Sequence, residues 1–78
     1  MYRRMAKILE ERGFSCLVYQ DTLYAERGLL IAIISKLGHK EYRVEINDTG
    51  QGKTYVSKCD TTKGVVTCID EYREFLVL

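Results

Sequence analysis

The 78 residues carry 46% hydrophobic and 29% charged side chains and a net charge of +1, a globular balance that excludes a disordered or low-complexity chain. That length suits one domain, near the size at which a single core leaves little stability to spare, and it excludes a cleft between two lobes. The longest apolar run, Leu29 to Ile34, falls far short of the ~20 residues of a membrane-spanning helix, so the sequence reads as soluble and cytoplasmic.

Residues 2 to 12 place Tyr2, Met5, Ala6, Ile8 and Leu9 on one side, with Arg3, Arg4, Lys7, Glu10 and Glu11 over the rest. This spacing predicts an amphipathic helix that stops at Gly13. The interruption of the start by Arg3, Arg4 and Lys7 also argues against a signal peptide. From Phe14 to Tyr19 the composition turns aromatic and β-branched, which predicts a strand, and Gln20-Asp21 suits a tight turn.

The segment from Thr22 to Leu37 has two readings. As strands, Thr22 to Glu26 returns beside the first strand, Arg27-Gly28 turns, and Leu29 to Lys36 runs through the middle of a sheet. As a helix, Leu23, Leu30, Ile34 and Leu37 form a stripe that ends at Gly38. Three isoleucines in four positions, and Gly28 in what would be the helix interior, favour strands.

After Gly38-His39-Lys40, the residues Tyr42, Val44 and Ile46 alternate with Arg43, Glu45 and Asn47, the pattern of a strand with one buried and one wet face. A glycine-rich turn at Asp48 to Gly52 leads to a strand over Thr54 to Cys59. Finally, Val65, Ile69, Tyr72 and Leu76 recur at helical spacing, with Asp70, Glu71 and Glu74 opposite. The expected fold is therefore α+β: an N-terminal helix, an antiparallel meander of four to five strands and a C-terminal helix, with both helices on one face of the sheet.

Residues with chemical potential are sparse. Gly50-Gln51-Gly52-Lys53-Thr54 resembles the end of a phosphate-binding loop, but Asn47 stands where that motif needs glycine and a strand, not a helix, is expected to follow. His39 is the single histidine and falls in a polar turn. Glu41, Glu45, Asp48 and Asp60 show no spacing that singles out a metal-holding pair. Cys16, Cys59 and Cys68 lack CxxC or histidine spacing, so they read as small buried side chains, with a Cys59 to Cys68 bridge as the alternative. No catalytic, cofactor-binding or metal-ligating set is expected.

Two binding functions remain. The run Leu29 to Ile34 sends apolar side chains to both sides of a strand, and two short helices cover only one side. An exposed apolar face on a soluble protein marks an interface, so the expected function is a non-enzymatic interaction module. It would be a homodimer joined through a sheet face or edge, with Leu30, Ala32 and Ile34 as the interface residues.

The alternative is nucleic-acid binding through Arg3, Arg4, Lys7, Lys36, Lys40 and Arg43, with Tyr19, Tyr24, Tyr42 and Tyr55 as stacking platforms. Charge weighs against it. Residues 1 to 43 hold eight Lys or Arg against five Asp or Glu, whereas residues 44 to 78 hold four against six, a dipolar rather than basic chain. Compact chains of this kind also occur among viral and mobile-element proteins, which is a prior from size alone.

Overall fold

The computed structural model describes the backbone of residues 2–77 and the side chains of residues 2–72. The chain runs α1 (Arg3–Glu11), β1 (Ser15–Tyr19), β2 (Thr22–Arg27), β3 (Leu30–Gly38), β4 (Glu41–Asp48), β5 (Lys53–Cys59) and α2 (Thr62–Val77). The five strands form one antiparallel sheet in the order β1-β2-β3-β4-β5. Thr22 to Leu37 is thus strand, turn and strand, as the isoleucines and Gly28 indicate.

Each helix forms because its apolar side chains return to one stripe. On α1 this is Tyr2, Met5 and Leu9, all buried, at spacings of three and four residues. The helix stops where Gly13 takes φ +90°, letting the N–H groups of Gly13 and Phe14 donate back to the carbonyls of Glu10 and Leu9, each at 3.0 Å. On α2 the Thr61 hydroxyl caps the N-terminus by accepting the Gly64 N–H at 2.9 Å. Val65, Val66, Ile69 and Tyr72 then face inward. The Leu76 and Glu74 side chains assigned to this helix lie outside the described side chains.

Both helices cover the same face of the sheet. That face carries Ala25, Ala32 and Ile46 in one cross-strand row and Leu23, Ile34 and Val44 in the next, all buried with Leu30 and Phe14 in the core. The guanidinium of Arg12, just past α1, bridges to Asp70 of α2 through Nε, 3.0 Å from both carboxylate oxygens. Arg27 Nη1 donates to the Arg12 carbonyl at 2.9 Å, and the guanidinium carbon of the same side chain lies over the Phe14 ring, 4.3 Å from its centroid. These contacts tie the end of α1 to both α2 and the sheet.

The placement of the core overturns one expectation. Leu30, Ala32 and Ile34 are buried beneath the helices and cannot meet a partner. The reason is register: these three residues pair with Asp48, Ile46 and Val44 of β4 and with Arg27, Ala25 and Leu23 of β2, so they share the face that β4 devotes to its own apolar residues. The exposed side of β3 is instead the one bearing Ile31 and Ile33.

Candidate interaction surface

The helix-free face is built from three cross-strand rows. One reads Leu17, Tyr24, Ile33, Glu45 and Val56; the rows on either side read Tyr19, Thr22, Ser35, Arg43, Lys58 and Ser15, Glu26, Ile31, Asn47, Thr54. Down β4 the face is polar and internally bonded. Arg43 pairs with Glu45 at 3.0 Å, Asn47 donates to Glu45 at 2.9 Å, and Thr54 donates to Asn47 at 2.8 Å. These bonds hold the Glu45 carboxyl below its ordinary pKa, the Asn47 hydrogen bond first and Arg43 next.

Toward β1 the character of the sheet changes. Leu17, Val18 and Tyr19 are 65%, 52% and 60% exposed, and Tyr24 beside them is also exposed. Alternation along β1 sends Leu17 and Tyr19 to the helix-free face and Val18 to the other, so this edge is apolar on both sides. It carries no charged residue, proline or bulge, the usual guards of an edge strand. The opposite edge is different: β5 also exposes Tyr55 and Val56, but Lys53 and Lys58 stand on it. Sequence reasoning passed over β1 because Leu29 to Ile34 drew attention to the centre. The available signal was that the first strand of a meander is an edge and that this one is uncharged.

The six basic residues expected to meet nucleic acid do not gather into one patch. Arg43 lies on the helix-free face, engaged by Glu45. Arg3 and Lys7 are exposed on α1, and Lys36 and Lys40 are exposed at the β3–β4 end of the sheet. Arg4 lines a cleft of about 530 Å³ between the two helices, with Arg12, Lys63 and Asp70. Of the four proposed stacking tyrosines, Tyr42 and Tyr55 lie on the helix-bearing face. Tyr42 is half-buried beside Tyr2, and Tyr55 packs edge-on against Tyr72 with ring centroids 4.9 Å apart.

The remaining candidates have structural surroundings. Gly50-Gln51-Gly52 is the β4–β5 loop, followed directly by strand β5. His39 is exposed in the β3–β4 turn, as is Asp60 before α2; Glu41 lies 3.9 Å from Lys58. Asp48 is buried and accepts the N–H groups of Gly50 and Gln51, both at 3.1 Å. Cys16, Cys59 and Cys68 are free thiols, half-buried against the core. Burial pushes the Cys16 and Cys59 thiols up, away from the thiolate form that reacts. Among the described residues, no three His, Cys, Asp or Glu side chains gather as a metal site, and no helix is long and apolar enough to cross a membrane. Compared with known proteins, the chain matches no family model, no curated protein and no solved structure.

Proposed function

We propose that this protein is a non-enzymatic interaction module that associates with further copies of itself through the β1 side of its sheet. The observation that carries this reading is the cluster of Leu17, Val18, Tyr19 and Tyr24, exposed together on β1 and β2. Water contact with large apolar side chains costs about 25 cal/mol per Å², and the free backbone groups of an edge strand add directional bonds that another strand satisfies. Dispersal of the basic side chains over both faces and the helices favours this reading over a nucleic-acid interface, which needs several cations aligned on phosphates.

The test is the mass in solution. Sedimentation equilibrium at micromolar concentration is expected to give twice the 9.0 kDa of one chain, with a dimer population that falls on dilution. Val18→Lys places a charge at the exposed edge and is expected to weaken association by about tenfold or more, while the far-UV circular dichroism of the folded chain stays that of the wild type. A monomeric mass for the wild type at all accessible concentrations overturns the proposal.

A further inference from the structure

Resting on that self-association, we infer that two chains join β1 to β1 in antiparallel register about a two-fold axis at Leu17, making one continuous ten-stranded sheet with four helices on one side. The hydrogen-bond parity of β1 fixes this register. Gln20 and Asp21 both have positive φ (47° and 62°), so the loop between β1 and β2 is a two-residue type I′ turn that closes on a hydrogen-bonded pair, Tyr19 opposite Thr22. Counting back in twos, Tyr19, Leu17 and Ser15 direct their backbone groups to β2, while Val18 and Cys16 direct theirs outward.

An incoming strand must offer its own outward groups to those two residues. A second β1 does so when Cys16 meets Val18 of the other copy and Val18 meets its Cys16. Leu17 then stands opposite Leu17 in a non-hydrogen-bonded pair, and Ser15 stands opposite Tyr19. Shifting by one residue opposes outward groups to inward ones, and shifting by two discards part of a five-residue strand. The symmetric register is the one that overlaps β1 along its whole length.

The charges of α1 supply an independent argument for a second copy as the occupant. Arg3 and Arg4 open this helix and Glu10 and Glu11 close it, the reverse of what the helix dipole favours. Arg3, Ala6 and Glu10 fall on one stripe, and that stripe borders β1, since the Ala6 carbonyl accepts the Cys16 thiol at 3.7 Å and Glu10 acts on the same thiol. Helix α1 runs antiparallel to β1, because Tyr2 bonds the Asp21 carbonyl at 2.7 Å and Arg12 leads through Gly13 to Ser15. The two-fold therefore sets α1 beside an antiparallel α1, with Arg3 of each near Glu10 of the other. The unfavourable ends of one helix become the counter-charges of its twin.

Growth stops at two copies. Once both β1 edges are consumed, the outer edges of the joined sheet are two β5 strands, each carrying Lys53 and Lys58, and like charges there oppose further addition.

Two experiments read this arrangement. A non-hydrogen-bonded antiparallel pair brings Cα atoms to about 4.5 Å, within disulfide reach. Under mild oxidation Leu17→Cys is expected to give a covalent dimer whose bridge maps, by mass spectrometry, to the two introduced thiols, whereas Tyr19→Cys and the wild type do not cross-link. In the second, Arg3→Glu is expected to weaken dimerisation roughly fivefold, and adding Glu10→Arg to recover it. Arg3→Glu also improves the match to the helix dipole, so loss of folding does not account for that weakening. A wild-type dimer in which Leu17→Cys fails to cross-link, or in which the charge reversal is not rescued, overturns the register and leaves self-association standing. A strictly monomeric wild type removes both.

Discussion

The Tyr72 hydroxyl of α2 donates to Oδ2 of Asp48 at 3.0 Å, joining the last helix to the end of β4. Asp48 is the buried acidic residue among those described, and its carboxylate also accepts the Gly50 and Gln51 N–H groups and, at 2.9 Å, the Gln51 side-chain amide. One carboxylate thus shapes the β4–β5 loop and anchors the helix above it. Asp48→Ala strands these donors and is expected to cost about 2–3 kcal/mol in urea unfolding, with Tyr72→Phe costing less because three donors remain. Burial first, and then the Asp48 bond, push the Tyr72 hydroxyl above its ordinary pKa of 10.0. The folded state holds that proton longer than the unfolded state does, so this contribution is full below the ordinary value and is lost as pH rises through the folded one. Tyr72→Phe is expected to flatten the alkaline side of the stability profile.

Glu45 acts on the acid side. Its carboxyl is held below the ordinary value of 4.5 by Asn47 and Arg43, so its contribution is present above that value and disappears as pH falls through the folded pKa. Chemical unfolding between about pH 5 and 3 is expected to show a shallower loss for Glu45→Gln than for the wild type.

The two faces of β3 differ in what truncation removes. Ile34→Ala empties a site fully enclosed between sheet and helices and is expected to cost about 2–5 kcal/mol. Ile33→Ala acts on the half-exposed side, where water fills the space, and is expected to cost clearly less. Equal losses by urea denaturation would contradict the assignment of faces.

The β1–β2 turn holds two non-glycine residues at positive φ, where side chains other than Asn and Asp meet steric cost. Replacing the pair by Gln20→Asn with Asp21→Gly supplies the favoured type I′ sequence and is expected to raise stability by about 1 kcal/mol. The change appears as a higher melting temperature with the same denaturant slope.

Much of this fold is legible in the sequence because most elements bury one side only. Alternation of Tyr42, Val44 and Ile46 with Arg43, Glu45 and Asn47 gives β4, and the spacing of Met5 and Leu9 gives α1. The exposed side of β3 is not given by β3 itself, since both sides are apolar. It follows from neighbours: Leu23 and Ala25 on β2 and Val44 and Ile46 on β4 draw Ala32 and Ile34 to the helices. The role of Asp48 depends on Tyr72, 24 positions away, which no local pattern encodes. The β1 edge escapes notice for the opposite reason, because five uncharged residues look like interior strand until the strand order shows nothing beyond them.

The order of the strands also bears on how the chain is made. Every β-partner is the preceding or following strand, so a nascent polypeptide leaving the ribosome completes each hairpin as soon as its second arm emerges, without waiting for distant segments. The greasy stripe of α1, made first, gains its cover from the β1–β2 hairpin early in synthesis, while the β4–β5 half stays bare until α2 arrives last. Translation pausing before the α2 codons would prolong that unsheltered interval more than pausing before the codons of any preceding element.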